Sequence, residues 1–539
     1  MTGTRATTSR GAAGLVLLTL AAAQFLMVLD SSVMNVSISE VAKDVHTSVT
    51  GIQTAITFYA LVMATLVITG GRLGTMYGRR RMFSIGLVVY GTGSVVTAVA
   101  PNLAVLLLGW SVLEGIGGAL ILPAIVALVA TNFGPEERPR AYGAIMAASA
   151  AAVAAGPVIG GLFTTYLSWR LVFASELIVS LAILSVARRM EDHPAGEPGR
   201  LDPVGTLLSA VGLGLIVFGV LRAGTWGLVR PRPGGPVWIG LSPVIVLIAA
   251  GGAVVIGFLA WEQRRTDRGL PALFDPAMLR VAELRSGLNA FGFQFFVQAG
   301  LFFTIPLFLS VALGLSAVAT GVRLLPLSVV LTATALGLPR LLPNASPRRI
   351  VRAGFLLLAG GTGLLVALLD VGSGPDVITW PLLVMGVGIG AMSSQLGAIT
   401  VGAVPEEQSS EVGGLQNTVT NFGSAVGTAL AGAILIAALS STFFGGLRSD
   451  PDVPKALADQ ASVELAGGVP FVSDAQLETA LHKVGVEPAV VDDVVTANAD
   501  ARVSGLRTAL AVLALVCLLA WWPTRDLPTE PVGGGGMVV

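Results

Sequence analysis

Fourteen long apolar stretches constrain the fold of this chain more than any other feature. A helix needs about 20 mostly apolar residues to cross a bilayer, and stretches of that kind recur from residue 12 to residue 523. The predicted spans are residues 12–37, 51–71, 82–100, 103–131, 142–165, 170–187, 203–222, 237–260, 286–313, 319–340, 353–371, 377–404, 413–441 and 504–523. The sequence therefore predicts an all-α membrane protein with fourteen transmembrane helices.

The composition limits what such a chain can do. Only 12% of its residues are charged, about half of the roughly 25% found in soluble domains. The 32 basic and 32 acidic residues balance, so no net field attracts nucleic acid. The single cysteine, Cys517, excludes a disulfide framework, and the three histidines lack metal-ligand spacing. No Walker lysine motif is present. We expect neither an enzyme nor a metal or cofactor.

Basic residues set the expected orientation. Arginines cluster in loops after even-numbered spans, as in residues 72–81 and 264–285, and the positive-inside rule assigns such loops to the cytoplasm. Both termini are then cytoplasmic, although the basic residues of loop 222–232 depart from the rule. Residues 442–503 are rich in acids and are expected outside, as a small cap with helices near 454–466 and 474–484. The low lysine content is typical of a high-GC bacterium, so we expect a cell-membrane (inner or plasma membrane) protein.

Two pairs of loops indicate an internal repeat. GRLGTMYGRRR (71–81) has a weaker counterpart in PRLLPNASPRR (339–349), and PEERPRAYG (135–143) matches PEEQSSEVG (405–413). Similar loops with the same orientation indicate parallel repeats about an axis normal to the membrane. We therefore expect a six-helix bundle over 1–190, two linker helices with cytoplasmic loops over 191–285, and a second six-helix bundle over 286–539.

Several motifs resemble the fourteen-span drug:proton antiporters of the major facilitator superfamily. FLMVLDSSVMNVSI (25–38) is similar to the first-span motif of that family, and AGPVIGG (155–161) is similar to its antiporter motif. The loop 71–81 resembles the superfamily's basic loop, but Thr75 replaces the expected acid. In span four, Ser111 replaces an expected arginine and Glu114 an expected glutamine. The resemblance implies a major facilitator fold with two six-helix bundles and two inserted helices.

Three acids lie within predicted spans, where a charged group costs free energy. They are Asp30, Glu114 and Glu176. A charge at the centre of a bilayer costs at least about 2.5–3.5 kcal/mol, and desolvation favours the neutral form of a carboxyl group. Such groups can load and release protons, which is the chemistry of a proton antiporter. The alternative is a neutral acid that only stabilises helix packing. We further expect a cationic substrate to displace a proton from Glu114.

Other residues are candidates for the substrate cavity and for gating. Spans one, four, nine and twelve should line the cavity, where aromatic, methionine and amide side chains suit varied apolar ligands. The candidates are Asn35, Gln294, Phe295, Gln298, Phe302, Met392 and Gln395. An alternative is that many of these phenylalanines face lipid. In the basic loop, Gly71, Gly78, Arg79 and Arg80 are either a gating latch or topology anchors. In the antiporter motif, Gly156, Pro157, Gly160 and Gly161 predict a tight, bent helix joint.

The resemblance implies a proton-coupled exporter (antiporter) of amphipathic or cationic small molecules, which carries out multidrug efflux by alternating access. The first alternative is a dedicated exporter of one endogenous metabolite, such as an antibiotic or a lipid, on the same scaffold. The second is a membrane receptor or scaffold that does not transport. The expected partners are a small-molecule substrate, protons and the lipid bilayer, without nucleic acid, and the expected state is a monomer.

Overall fold

Within the residues that the structure describes, fourteen apolar helices are long enough to cross a membrane, as the sequence predicts. The computed structural model describes residues 10–133, 137–190, 201–232, 235–404, 409–449, 469, 471–483 and 488–530. Both described chain ends lie on one side of the helix bundle, because the number of spans is even. We call this side the terminal face and the opposite side the far face.

The helices follow the predicted spans closely. Spans 1 to 8 are Arg10–Val36, Val49–Tyr77, Arg79–Ala98, Leu103–Asn132 in three consecutive helical pieces, Arg138–Tyr166, Trp169–Ala187, Pro203–Trp226 and Pro243–Asp267. Spans 9 to 14 are Ala282–Leu307, Ala317–Leu341, Pro347–Leu368, Thr379–Gly402, Ser409–Ser449 and Pro488–Leu519. Short helices at Ile38–Asp44, Pro276–Arg280, Pro375–Ile378, Asp474–Lys483 and Trp522–Asp526 lie between or after them.

Spans 1–6 and spans 9–14 pack in the same pattern. In the first half, span 1 packs on spans 5 and 6, span 4 on spans 2 and 3, and span 3 on span 6. In the second half, the same contacts join span 9 to spans 13 and 14, span 12 to spans 10 and 11, and span 11 to span 14. This pairing fits the repeat proposed from the loops. Parts of two of those loops, residues 134–136 and 405–408, lie outside the described residues.

Two seams join the halves: span 5 meets span 10, and span 2 meets span 13. At the first seam, the backbone N–H of Val318 donates to the Thr165 hydroxyl over 3.0 Å. At the second, Gln53 donates to the carbonyl oxygens of Thr428 and Ala429 over 3.0 and 3.2 Å. Both sets of hydrogen bonds lie toward the far face, so the halves are joined there.

The inserted span 7 covers one seam. Val217 packs with Ala60 of span 2 and Ala425 of span 13. Toward the terminal face, the hydroxyls of Thr69 and Thr206 lie 3.2 Å apart. Toward the far face, a Cβ added to Gly224 would lie 2.9 Å from the Ala433 backbone, so span 7 lies directly against span 13. Span 8 packs on the outer side of span 7.

Spans 13 and 14 extend beyond their apolar stretches. Span 13 has 41 residues and is about 61 Å long at about 1.5 Å per residue, twice the roughly 30 Å of a hydrocarbon core. The predicted helix near 474–484 is confirmed as Asp474–Lys483, and Arg502 of span 14 contacts Asp474 at 2.5 Å. The other predicted helix, 454–466, lies outside the described residues.

Candidate functional site

The three acids predicted within the spans converge at one point of the first half. One carboxyl oxygen from each of Asp30, Glu114 and Glu176 lies within 4.8 Å of the other two. All three side chains are buried. They come from spans 1, 4 and 6, so the cluster depends on the packing of the whole first half. We call these three residues the carboxyl cluster.

A π-helical segment positions the contribution of span 4. Residues Leu107–Glu114 form π-helix between two α-helical pieces, and π-helical turns shift the direction of side chains relative to a regular α-helix. Trp110 and Glu114 both lie on this segment. Ser111, which stands where the resembling family has arginine, donates to the Ala55 carbonyl of span 2 over 2.8 Å. Span 4 therefore supplies no base to the cluster.

Asp30 receives both its hydrogen bonds from one indole. The Trp110 Nε1–H lies 2.8 Å from Oδ1 and 3.0 Å from Oδ2 of Asp30. The Trp110 ring stacks on the Tyr59 ring, with 5.0 Å between centroids and 7° between planes. Because Trp110 is itself buried and fixed by this stack, the donor is held in place before any charge forms on Asp30.

The two glutamates contact hydroxyl groups of span 3. Oε1 of Glu114 lies 3.0 Å from the Thr97 hydroxyl. Oε2 of Glu176 lies 3.1 Å from the Ser94 hydroxyl and 3.5 Å from the Tyr90 hydroxyl. The second oxygen of each glutamate, Oε2 of Glu114 and Oε1 of Glu176, is buried without a hydrogen-bond partner.

The carboxyl cluster cannot carry three negative charges at once. Two unit charges 4.8 Å apart repel by about 3.5 kcal/mol at an effective dielectric constant of about 20. None of the ion pairs among the described residues involves Asp30, Glu114 or Glu176. The oxygens are close enough together to ligate a metal ion, but both oxygens of Asp30 already accept from Trp110. The arrangement suits the binding of protons.

From the sequence we expect Glu114 to meet a substrate between the halves, but its side chain points elsewhere. Its side chain lies against span 3, because a Cβ added to Gly93 would lie 2.6 Å from Cγ of Glu114. It is completely buried within the first half. A substrate between the halves therefore does not reach Glu114 in this conformation, in contrast to the expected competition between a cationic substrate and a proton at this residue.

The predicted cavity residues divide into two groups. Gln294 of span 9 is buried and donates to the Ser393 hydroxyl of span 12 over 2.9 Å, and Ser393 is itself exposed. Asn35, Phe295, Gln298, Phe302 and Gln395 are partly exposed. Met392 is also fully buried, and it packs on Gly354 of span 11, so it does not face the space between the halves in this conformation. Composition marks span 12 as apolar but does not fix its rotation about its axis.

A separate crevice lies beside the inserted helices. Its volume is about 140 Å³, and spans 2, 7, 8 and 13 line it together with residues 273–279. None of the predicted cavity residues contributes to its wall. It is therefore distinct from the space that the cavity prediction concerned.

The antiporter motif joins three helices at the first seam. A Cβ added to Gly156 would lie 2.3 Å from the Ser32 hydroxyl of span 1, and one added to Gly160 would lie 3.0 Å from Cα of Val33. On the other side of span 5, Gly161 lies against Val318 of span 10 at 2.6 Å by the same measure. Small residues at these positions permit the close approach of three backbones.

Pro157 of span 5 also packs on span 10 at the first seam. Its carbonyl oxygen would lie 2.0 Å from a Cβ added to Gly321 of span 10. The structure therefore brings the motif to the boundary between the halves, as a tight joint requires.

The basic loop contacts helix ends of its own half. Gly78 has a positive φ of 100° and separates span 2 from span 3, a conformation that favours glycine. Arg79 donates to the Ala127 carbonyl and the Thr131 hydroxyl near the end of span 4. Arg80 donates to the Met190 carbonyl over 3.0 Å, just beyond span 6. Cations at helix C-termini are stabilised by the exposed carbonyl groups, so these two arginines are held by helix ends.

Gly71, the remaining residue predicted in that loop, lies inside span 2 and packs near Pro123 of span 4, 3.4 Å from an added Cβ. The loop thus ties spans 2, 3, 4 and 6 together. Its described hydrogen bonds remain within the first half.

Sequence reasoning missed a second pair of buried acids. Asp202 and Glu262 are buried at the terminal face, where the Trp261 indole donates to Asp202 over 2.8 Å and Arg265 lies 3.2 Å from it. The backbone N–H of Leu273 donates to Glu262 over 2.6 Å. This group fastens the segment after span 8 to spans 7 and 8. The predicted span 8 ended at residue 260, which left Glu262 in a loop.

Sequence reasoning also missed the partners of the carboxyl cluster. Trp110, Ser94 and Thr97 contact its carboxyl oxygens. For Ser94 and Thr97 the sequence held a signal, since two hydroxyl side chains three residues apart in an apolar span lie on one helix face.

Comparison with known proteins identifies the family. The family model described as Major Facilitator Superfamily matches residues 20–428. The chain belongs to the major facilitator superfamily. This membership agrees with the fourteen spans and the paired halves, and superfamily members are membrane transporters rather than enzymes.

Two relatives illustrate the similarity in sequence. A Streptomyces coelicolor protein described as "Probable actinorhodin transporter" is 31% identical over 78% of this chain and 72% of its own length. A Mycobacterium tuberculosis protein, "Multidrug resistance protein Stp", is 26% identical over 94% of this chain and 91% of its own. Both relatives are bacterial.

A solved structure shows the same fold. The bacterial homologue of the human lysosomal transporter Spinster, in an inward-facing and unoccupied conformation, aligns with a TM-score of 0.61 at 15% identity. The alignment covers 96% of this chain and 98% of that one. At this identity the likeness concerns the fold alone.

Proposed function

We propose that this protein is a proton-coupled secondary exporter of amphipathic or cationic small molecules that works by alternating access. The observation that carries the proposal is the carboxyl cluster: three fully buried carboxyl groups converge without a base. Burying several acids together costs free energy unless they bind protons. A site whose charge changes with each proton can drive a transport cycle.

The proposal includes an orientation. The arginine-rich loops lie on the terminal face, which the positive-inside rule makes cytoplasmic. The far face, where hydrogen bonds join the halves, is then the outside, which supports an inward-facing conformation. A substrate would enter from the cytoplasm between spans 9 and 12 and the first half. Gln294, paired with Ser393, offers a hydrogen-bonding group beside the aromatic side chains of span 9.

A second candidate is the dedicated export of one endogenous antibiotic or similar metabolite. It is favoured by the relative described as an actinorhodin transporter, at 31% identity. The multidrug reading is favoured by the relative described as a multidrug resistance protein, at 26% identity over a larger share of the chain. The scaffold and the proton step are the same in both.

The proton step can be tested in proteoliposomes. Purified protein is reconstituted with a pH-sensitive dye inside, and an amphipathic cationic dye is added as substrate. Substrate-dependent proton movement supports the proposal, and its absence with correctly folded protein contradicts it. Asp30→Asn is the inactive comparison, and Glu40→Gln, an exposed acid of the same half paired with Lys43, is its matched control.

A susceptibility screen separates the two candidates. The protein is expressed in an efflux-deficient bacterial host and challenged with unrelated dyes and antibiotics. Resistance to several chemical classes indicates multidrug export. Resistance to one class alone indicates a dedicated exporter.

A further inference from the structure

The hydroxyl groups around the carboxyl cluster indicate which of its carboxyl groups carry a proton. Each hydroxyl has one hydrogen, yet Thr97 lies 2.8 Å from the Gly93 carbonyl and 3.0 Å from Glu114 Oε1. Ser94 likewise lies 3.1 Å from the Tyr90 carbonyl and 3.1 Å from Glu176 Oε2. A carbonyl oxygen can only accept. If the carboxyl group donates to the hydroxyl, the hydroxyl can pass its own hydrogen to the carbonyl, and both contacts of each hydroxyl are then full hydrogen bonds rather than two acceptors sharing one hydrogen.

The unpartnered oxygens lead to the same assignment. Oε2 of Glu114 and Oε1 of Glu176 are buried without a donor. In a neutral acid such an atom is a carbonyl-type oxygen, and leaving it unpaired costs much less than leaving a charged carboxylate oxygen unpaired. In each glutamate, therefore, one oxygen carries the proton and its O–H donates to a hydroxyl, while the other oxygen accepts no hydrogen bond.

Asp30 has the opposite environment. Both of its oxygens accept from the Trp110 N–H, at 2.8 and 3.0 Å. Trp110 donates only, so this contact favours the ionised form of Asp30. The other ionisable side chains that face the cluster are the phenols of Tyr59 and Tyr90, on spans 2 and 3.

We infer that in this conformation Glu114 and Glu176 are neutral acids and Asp30 is the single anion of the carboxyl cluster. The inference rests on the proposed proton-coupled export and gives its residues different roles. Glu114 and Glu176 keep resident protons that make the site less negative, whereas Asp30 is the group free to take up a proton. The cluster then carries one exchangeable proton per cycle.

Difference infrared spectroscopy tests this assignment without transport. Protonated carboxyl groups show a C=O stretching band that carboxylates lack, and the band shifts in D2O. The full-length protein is measured in lipid nanodiscs at neutral pH. Glu114→Gln and Glu176→Gln should each remove one component of the band. Asp30→Asn and the exposed control Glu40→Gln should remove none.

Two further variants keep the test valid where a glutamate substitution disturbs folding. Thr97→Val and Ser94→Ala keep the acids but remove the hydroxyls that accept from them. Each should shift one band component to higher frequency, because a weaker hydrogen bond stiffens the C=O bond, and should remove none. An unchanged spectrum in both variants would overturn the assignment, as would loss of a component in Asp30→Asn.

The outcomes separate this inference from the proposed function. If the bands behave as expected but proteoliposomes show no substrate-dependent proton movement, the protonation pattern stands and the export mechanism is wrong. If proton-coupled export is observed but Glu114→Gln and Glu176→Gln leave the band intact, the exporter stands and the division of roles is wrong.

Discussion

The two halves share one packing pattern but carry different chemistry. In the first half, spans 1, 4 and 6 bring three acids to one buried point. In the second half, the corresponding interior holds Gln294 against Ser393, with Gln298 nearby on span 9. The comparison separates two tasks that a proton-driven transporter must combine. Under the proposed function, the first half binds protons and the second half offers neutral hydrogen-bonding groups to a substrate.

Coupling between the halves must then pass through their seams. Proton binding at the cluster is shielded from the space between the halves, because Glu114 lies against span 3 and Asp30 behind Trp110. The antiporter motif contacts span 1 through Gly156 and Gly160, and span 10 through Gly161. Span 1 carries Asp30 three residues from Val33. Span 5 therefore contacts both span 1, which carries Asp30, and span 10 of the other half.

The largest effect is expected for the acid that we assign as the exchangeable site. Asp30→Asn removes the only charge of the carboxyl cluster and should abolish proton-driven export, because the site no longer changes charge. Transport assays in inverted vesicles with an imposed pH gradient measure this. The variant must reach the membrane at normal level, and normal export by it would contradict the role of Asp30.

The next effect concerns the seam. Gly321→Ala places a methyl group 2.0 Å from the Pro157 carbonyl, and overpacking of this kind costs about 1–3 kcal/mol. The closed far face should lose population by roughly 5- to 150-fold, which cysteine-accessibility labelling from the far side can measure. Gly337→Ala in the same span is the matched control, since an added Cβ there meets nothing within 4 Å. Equal labelling of both variants would argue against the seam as the seal.

A smaller effect is expected in the second half. Gln294→Leu removes the hydrogen-bonding group that we propose contacts the substrate, worth about 0.5–1.5 kcal/mol, and should raise the KM for a polar substrate by about 2- to 13-fold. The proton movement per molecule exported should stay constant. A changed proton-to-substrate ratio in this variant would show that the halves do not divide the tasks.

The smallest effect is expected at Glu114, and it tests whether cationic and neutral substrates are affected differently. Glu114→Gln should reduce export by less than about tenfold, or 1.4 kcal/mol, because glutamine can still donate to Thr97. Since Glu114 does not face the substrate space, cationic and neutral compounds should lose equally. Efflux of a dye cation and of a neutral drug from the same cells gives the ratio, and a selective loss of cation export would return Glu114 to a substrate-binding role.

The fold was largely predictable because apolar length alone defines a span. All fourteen spans were found this way, and the same reasoning identified Asp30, Glu114 and Glu176, since an acid in an apolar stretch is conspicuous. What the sequence could not predict was orientation about a helix axis: Met392 lies toward span 11 because span 12 is apolar on all sides and its pattern marks no face. The π-helical turn at Leu107–Glu114 also left no local signal, since the hydrogen-bond shift that defines it depends on the neighbouring helices.

The placement of span 7 has a consequence for how the molecule meets the lipid. Span 7 covers the boundary between the halves at spans 2 and 13 along its length, with contacts at Thr206, Val217 and Gly224. Within the described parts of the chain, no helix covers the other boundary, at spans 5 and 10, in this way. Lipid therefore meets span 7 at one boundary and spans 5 and 10 directly at the other. The paired halves share one packing pattern, but their two boundaries are exposed to the bilayer unequally.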